Sequence, residues 1–428
     1  KGMADGAEEK RRSTCEGALL HTERTMIEGT TMAMNERRRL WLTVFLGVMT
    51  AIAPLSTDMY LPALPEVQEA FSVPTSLVQM TLTMTTLGMA LGQILAGPWS
   101  DLWGRRRPLL IGMLVFVGAT LGCVLAQNIY LFLFFRFFAG FSGASGIVIS
   151  RAIARDVCEG SELTRFFSVL MMVNGFAPII APVIGGQILL FANWRATFIL
   201  LTLIGVVLAG ATLAYQETLP KEQRSKNVMD SLKKFPILLH DRYFLGHCLL
   251  QCFVFGGFFS YLSGSSFVFQ NIYGVSPQGF SMIFAVIGAG LLLAGILPAR
   301  FAGRVPDIVM LKYAVLVPLI GSSLLLIGFF VSAPLPVIFI LLFITIIPLS
   351  VMGAASFSLA LSRQGKNAGS ASALIGCFSM LLGACMMPVV GIAGDYTAIP
   401  MGVIMLTCYG LGMFVFYRMI ASVHIAMR

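Results

Sequence analysis

The feature that most constrains the fold of this chain is a series of about twelve apolar segments, each long enough to cross a lipid bilayer. Continuous segments of this length predict membrane helices, because the strands of a membrane β-barrel are shorter and alternate between apolar and polar residues. A soluble domain carries roughly 25% charged residues, whereas this chain carries 11%. The sequence therefore predicts an all-α membrane protein with twelve transmembrane helices. The predicted segments are 39–62, 75–97, 108–127, 129–152, 163–191, 195–215, 244–270, 277–298, 309–331, 335–360, 367–393 and 398–420.

The basic residues predict the side of the membrane on which each loop lies. All of the 29 lysines and arginines except Arg136 and Arg195 fall in the tails or around connections on one side of the predicted bundle. The positive-inside rule makes that side cytoplasmic. We therefore expect a multi-pass protein of the bacterial inner (plasma) membrane with both termini in the cytoplasm. This distribution accounts for the net charge of +9 without a nucleic-acid partner.

One long internal loop separates six segments from six, as in proteins built from two repeated halves. Within this loop, Val228–Leu239 is modestly amphipathic, and a helix on the membrane surface and a plain linker are equally compatible with it. The predicted regions are a disordered cytoplasmic tail at 1–36, an N-terminal half at 37–215, a central cytoplasmic loop at 216–243, a C-terminal half at 244–421 and a cytoplasmic tail at 422–428.

The first segment carries an acidic side chain at membrane depth. Asp58 lies in the stretch Pro54–Pro65, which reads PLSTDMYLPALP, and it is the only acidic residue that we place inside a predicted segment. A carboxylate at that depth is costly unless it is paired, hydrated or protonated. Asp58 is therefore our first candidate for a functional residue.

The fourth segment carries an isolated cation, Arg136, among aromatic residues. Because it lies well inside the segment, its side chain cannot easily reach either membrane surface. It requires a carboxylate, backbone carbonyls or a water-filled cavity. Pairing with backbone carbonyls for a purely structural role is the alternative, and we favour a functional role.

The connection after the second segment reads GQILAGPWSDLWGRRRP from Gly92 to Pro108. Its small residues predict close helix packing, and Asp101 is placed where it could accept N–H groups from a neighbouring helix N-terminus. A weaker echo, PARFAGR at 298–304, follows the eighth segment and supports an internal repeat. The candidate residues of this motif are Gly92, Gly97, Pro98, Asp101, Gly104, Arg105 and Arg106.

The fifth segment combines two prolines with several glycines. Prolines four residues apart interrupt the helical hydrogen bonds and favour a kink. A pliable gate between two halves and ordinary small-residue packing are equally compatible with this pattern. The candidate residues are Gly175, Pro178, Pro182, Gly185 and Gly186.

Together these motifs resemble the major facilitator superfamily, and in particular its drug/proton antiporter branch. TDMYLPALP at 57–65, ETLP from Glu217 and NWRATF from Asn193 are similar to the Bcr/CflA group of bicyclomycin and chloramphenicol/florfenicol exporters. The resemblance implies the major facilitator fold, with twelve helices in two pseudo-repeated halves of six. It runs from about residue 37 to the C-terminus and is densest in the first half.

The same resemblance implies roles for the candidate residues. Asp58 would be the proton-linked carboxylate and Arg136 its partner in the central cavity. Asp101, Arg105 and Asp156 would form a cytoplasmic latch. Some members of the group carry a second acid shortly before the position of Asp58, and this chain does not, so we expect a single titrating site.

We therefore expect a proton-driven antiporter that exports small amphipathic compounds by alternating access, as a monomer in the lipid bilayer. No cofactor or metal is predicted, and no GxxxxGK[ST] nucleotide-binding loop is present in the sequence. The alternative on the same fold is proton-coupled transport of one dedicated metabolite, inward or outward. A membrane enzyme or receptor is less favoured, because the four histidines form no cluster and the eight cysteines contain no CxxC pair.

Overall fold

The computed structural model describes residues 36–158, 160–224, 235–301, 304–361 and 368–422. Residues 1–35 and 423–428, which hold almost all of the two predicted tails, lie outside these ranges, as does the middle of the predicted central loop. Residues 1–44 and 45–428 form two units. Every tertiary contact described below lies within residues 45–428.

The described ranges contain twelve long helices, which confirms the all-α prediction. Eleven stretches are long and apolar enough to cross a membrane. The remaining long helix, Thr75–Trp103, has 29 residues but carries more threonine and glutamine than the others. The helices are α1 (Glu36–Asp58), α2 (Thr75–Trp103), α3 (Arg106–Leu125), α4 (Ile129–Val157), α5 (Gly160–Ile188), α6 (Arg195–Ala214), α7 (Arg242–Phe267), α8 (Pro277–Ala294), α9 (Asp307–Phe330), α10 (Leu335–Leu361, interrupted at Ile347), α11 (Ala368–Val390) and α12 (Ile399–Val415).

The first membrane segment is broken, which its predicted range of 39–62 does not show. Helix α1 ends at Asp58, a 3-10 turn covers Leu61–Ala63, and a second helix, Leu64–Phe71, completes the span. Pro62 contributes to the break, because proline has no N–H group and its ring obstructs the preceding turn of an α-helix. Asp58 therefore lies at an interruption inside the span.

Helices α2 and α4 pack closely through glycines, as the motif around Gly92 predicts. The backbone of Phe137 and Phe141 occupies the space that a Cβ on Gly88 or Gly92 would need. Gly140 approaches the Thr85 carbonyl in the same way from α4. Such contacts are typical of membrane helices, where small residues let the backbones approach each other.

The two groups of six helices meet along two antiparallel pairs, α2 with α11 and α5 with α8. In the first pair, Thr83 Oγ1 donates to the Ala384 carbonyl at 2.8 Å. In the second, Gln278 Nε2 donates to the Gly186 carbonyl at 2.8 Å. Helix α5, which carries the proline and glycine motif, therefore lies at the interface between the halves.

Most hydrogen bonds between the halves lie at one end of the bundle, which we call the Gln270 end. There Gln270 Nε2 donates to the Pro62 carbonyl at 3.1 Å, and Ser266 Oγ donates to the Leu61 carbonyl at 2.7 Å. Gln79 Nε2 donates to the Ser263 carbonyl at 3.2 Å. The opposite end, with the α2–α3 turn, is called the Arg105 end. Nearer the Arg105 end, Gln93 Nε2 of α2 contacts Met380 Sδ of α11 at 3.4 Å.

The described part of the stretch Val228–Leu239 is residues 235–239, which lie in a short helix, Phe235–His240. Its Leu238 is buried in a cluster that contains Phe244 of α7 and Ala360 of α10. This part of the central loop is therefore packed against the protein.

Candidate functional site

Asp58 lies between the two halves of the protein. Its side chain is buried, with 7% of the residue exposed. Among the described residues, no basic group lies within 4.0 Å of its carboxylate and no hydrogen bond to it is formed. The carboxylate interacts electrostatically with the hydroxyl group of Tyr261 on α7, which belongs to the opposite half. Among the described residues, the candidate coupling residue is therefore not paired with a cation.

Arg136 is fully buried and does not pair with Asp58, as the resemblance implies that it would. Its Nη1 donates to the Ser56 carbonyl at 2.9 Å. The guanidinium carbon lies 4.9 Å from the centre of the Tyr60 ring and 5.4 Å from that of Phe198. Attraction between the cation and the ring faces contributes to holding it there. Nε and Nη2 are buried and have no hydrogen-bond partner in the described part of the chain.

Helix geometry explains why the two charged residues are separated. Side chains two positions apart on an α-helix point in directions roughly 200° apart. Ser56 contacts Arg136 inside the N-terminal half, whereas Asp58 acts electrostatically on Tyr261 of α7. The predicted ion pair between Asp58 and Arg136 is therefore absent from this structure, although both residues lie at the centre of the protein.

Three residues of the predicted latch meet at the Arg105 end. Arg105 Nε donates to Asp156 Oδ2 at 2.8 Å, Nη2 donates to Asp156 Oδ1 at 3.3 Å, and Nη1 donates to Asp101. The Arg105 side chain is 8% exposed. Burial by itself would lower the pKa of Arg105, but the hydrogen bonds to Asp156 and Asp101 raise it above its usual value. The guanidinium therefore remains charged at any physiological pH.

Glu217 supplies the contact that sequence analysis assigns to Asp101. It lies just after α6, and its two carboxylate oxygens accept the backbone N–H groups of Arg105 at 2.8 Å and Arg106 at 3.1 Å. A negative charge is favourable at that position because the first N–H groups of a helix have no partner within the helix. Asp101 instead contacts Arg105, and half of its side chain is exposed.

Gly104 makes room for this carboxylate. Its φ of +87° is in the left-handed region, and the Glu217 side chain occupies the space of a Cβ at this position. Glycine adopts this φ and leaves this space free for Glu217 at little cost, because it has no side chain. The sequence contained a signal for Glu217, since ETLP is part of the resemblance, but it did not show that this acid reaches the α2–α3 turn.

Comparison with known proteins assigns the family. The model of the Major Facilitator Superfamily matches residues 46–388. The chain belongs to the major facilitator superfamily. It is 42% identical over 385 residues to an uncharacterized transporter of that superfamily, YdgK from Bacillus subtilis, with 89% of this chain and 96% of the relative covered. The members of this superfamily and the structural neighbours of this chain are transporters, so this protein is a transporter and not an enzyme.

The predicted subgroup is confirmed as well. The chain is 32% identical to the "Bicyclomycin resistance protein homolog" of Haemophilus influenzae over 395 residues, with 90% of this chain and 97% of the relative covered. The crystal structure of a D-xylose–proton symporter aligns with a TM-score of 0.72 at 14% identity, covering 89% of this chain and 98% of the symporter. This likeness confirms the major facilitator fold, with twelve helices in two halves.

In this transporter, the glycines of the α5 motif contact both halves. The Met59 carbonyl, in the break after α1, occupies the space that a Cβ on Gly185 would need. Gly186 faces Ser281 and Gly175 faces Leu292, both on α8. Pro178 and Pro182 lie within the continuous helix between them. The motif therefore provides close packing beside Asp58 and across the interface, and its role as a gate remains a prediction.

Proposed function

We propose that this protein is a proton-coupled antiporter that exports small amphipathic compounds by alternating access, with Asp58 as the proton-binding residue. The observation that carries the proposal is the place of Asp58. It is buried between the halves, at a break in α1, and no basic side chain within the described ranges lies close enough to neutralise it. Ionisable residues inside a membrane are costly and often belong to proton pathways.

The positive-inside rule orients the transporter in the bacterial inner membrane. Arg105, Arg106 and Arg224 lie at the Arg105 end, so this end would face the cytoplasm, together with both termini. The Gln270 end, where the halves are joined by hydrogen bonds, would then face outward. The structure would accordingly represent the inward-facing state of an alternating-access cycle.

In this scheme the two predicted halves of the chain are the parts that move. The halves at 37–215 and 244–421 would rock about the seams formed by α2 with α11 and α5 with α8. The relative linked by name to bicyclomycin resistance supports a small drug-like substrate rather than a sugar. A monomer in the bilayer is sufficient for this mechanism, because both halves belong to one chain.

The decisive experiment compares Asp58→Asn with the wild type in proteoliposomes with an acidic lumen. Radiolabelled chloramphenicol, bicyclomycin and florfenicol serve as substrates. A proton antiporter concentrates its substrate inside such vesicles, and we expect Asp58→Asn to lose this accumulation, because asparagine cannot bind or release a proton. Asp395→Asn is the control, since Asp395 lies in the α11–α12 connection and contacts Asn271.

Two results would contradict the proposal. If Asp58→Asn accumulates substrate against its gradient as well as the wild type does, Asp58 is not the coupling residue. If the wild type concentrates none of the three compounds when the lumen is acidic, the export of such compounds by proton exchange is wrong.

A further inference from the structure

Tyr261 on α7 carries a buried hydroxyl group to which the mechanism above gives no role. The residue is 1% exposed, and its Oη has no hydrogen-bond partner in the described part of the protein. The ring is fixed by stacking on Phe284, with centroids 5.9 Å apart and planes inclined by 9°. Phe258 packs beside it with centroids 6.1 Å apart. A buried phenol normally finds a partner, because an unpaired donor is costly away from water.

The Asp58 carboxylate of the other half acts electrostatically on this hydroxyl, although no hydrogen bond joins the two groups in this structure. Helix α7 and the break after α1 are also joined by hydrogen bonds close to these two residues. Ser266 and Gln270, which follow Tyr261 along the chain, donate to the Leu61 and Pro62 carbonyls that follow Asp58. The hydrogen bonds at the Gln270 end therefore hold Tyr261 close to Asp58.

Other titratable groups around Asp58 each make at least one hydrogen bond, although Nε and Nη2 of Arg136 make none among the described residues. Arg136 on α4 donates to the Ser56 carbonyl. Tyr60 Oη accepts from Thr81 Oγ1 at 3.3 Å, and Glu66 accepts from the backbone N–H of Trp194 at 3.2 Å. Helix α8 contains no titratable residue. Tyr261 is thus the donor that the described C-terminal half offers to Asp58.

We propose that Tyr261 becomes the hydrogen-bond donor to Asp58 when Asp58 is ionised, and that this contact locks the empty transporter with its Gln270 end closed. The proposal rests on the function proposed above, in which Asp58 binds the proton. A hydrogen bond to a carboxylate is roughly twice as strong as one to a neutral group. Protonation of Asp58 therefore weakens the contact and lets the halves separate at the Gln270 end.

This contact has a specific purpose in an antiporter. Coupling fails if the empty, deprotonated transporter can change state, because substrate then equilibrates without proton exchange. A donor on one half and a carboxylate on the other prevent that step, because the bond is strongest when Asp58 carries neither proton nor substrate. Substrate binding or protonation releases it.

The test compares Tyr261→Phe with a matched control, Tyr409→Phe. Tyr409 on α12 is also fully buried with an Oη that lacks a partner among the described residues, but it packs on Gly257. Proteoliposomes take up radiolabelled chloramphenicol, or bicyclomycin if the wild type prefers it, with and without an acidic lumen. We expect Tyr261→Phe to equilibrate substrate at least as fast as the wild type without a pH gradient. Its accumulation with an acidic lumen should fall about tenfold, which corresponds to the loss of one charge-assisted hydrogen bond.

Three results would overturn the proposal. Accumulation by Tyr261→Phe equal to the wild type would show that the hydroxyl is dispensable. An equal loss in Tyr409→Phe would show a general effect of a buried hydroxyl. A raised KM with unchanged coupling would make Tyr261 a substrate ligand instead.

The double variant Asp58→Asn/Tyr261→Phe separates this inference from the proposed function. In the rate of substrate equilibration without a pH gradient it should behave as Asp58→Asn alone, because the contact needs both groups; additive changes in that rate would contradict the inference. A wild type that does not respond to the pH gradient would instead remove the proposed function, whatever the behaviour of Tyr261→Phe.

Discussion

Glu217 is the residue whose role becomes clear only in the folded protein. Its carboxylate accepts the first two N–H groups of the α3 region, at Arg105 and Arg106, and also the N–H groups of Thr218 and Leu219. It therefore connects the end of α6 to the turn before α3. The connection joins the N-terminal half to the start of the central loop and involves no residue of the C-terminal half, so it can persist while the two halves move.

We predict that Glu217→Gln destabilises the protein by about 1–2 kcal/mol, because charge-assisted hydrogen bonds become neutral ones. The midpoint of thermal unfolding in detergent should fall accordingly. Glu222→Gln is the control, since Glu222 lies in the same loop and is exposed. Equal midpoints for the two variants would contradict the role given to Glu217.

Single residues were predictable from the sequence to different extents. Asp58 and Arg136 were identifiable because charges inside apolar segments stand out, and the contact between Arg105 and Asp156 followed from the resemblance. The surroundings of Arg136 were not predictable, because the Tyr60 ring comes from the break after α1 and the Phe198 ring from α6. A hydrogen bond between Glu217 and a backbone more than a hundred positions earlier leaves no periodic pattern in the chain.

At the scale of elements, the meeting of α5 with the break after α1 brings backbone against backbone. Gly185 permits this approach, because the Met59 carbonyl lies where a side chain would begin. The break, the adjoining Asp58 and helix α5 therefore form one packed unit. A change in any of them should affect the others.

We predict that Gly185→Ala lowers stability by about 1–3 kcal/mol, because an added methyl group overpacks the contact with Met59. Thermal unfolding in detergent measures this effect. Gly210→Ala on α6 is the control, as nothing lies within 4 Å of the position of its Cβ. If Gly185→Ala is as stable as Gly210→Ala, the contact is looser than the structure indicates.

Apolar length predicted the existence of the elements well, but it predicted their ends poorly. Helix α2 continues to Trp103, beyond the predicted limit at residue 97. Pro98, which directly follows that limit, lies inside the helix and does not end it. The break at Asp58 was hidden because the residues on both sides of it are apolar enough to extend one membrane segment. Hydropathy measures solvation, and it does not report where the backbone hydrogen bonds stop.

At the scale of the whole molecule, most of the hydrogen bonds that the described residues form between the halves lie toward the Gln270 end. We predict that Gln270→Ala shifts the population away from this state, because it removes the hydrogen bond to the Pro62 carbonyl. A net hydrogen bond of about 1 kcal/mol corresponds to a change of roughly fivefold in the ratio of the two states.

Spin labels at Arg107 and Leu297, in a background without native cysteines, report the separation of the halves at the Arg105 end. The shorter distance should become more populated in Gln270→Ala. Gln68→Ala provides the control, because Gln68 donates to Thr75 within one half. Identical distance distributions for the two variants would show that Gln270 does not set the balance.

The hydrogen bonds across the Gln270 end share one property: their donors are side chains, whereas their acceptors at Leu61, Pro62, Gly186 and Ser263 are main-chain carbonyls. An alanine scan would remove only the donors of these bonds. Every amino acid offers the same carbonyl, so a loss on substituting an acceptor residue would report the packing at that position, such as that of Gly186 against Ser281, and not the hydrogen bond. The accepting half of each contact is thus not separable by side-chain mutagenesis.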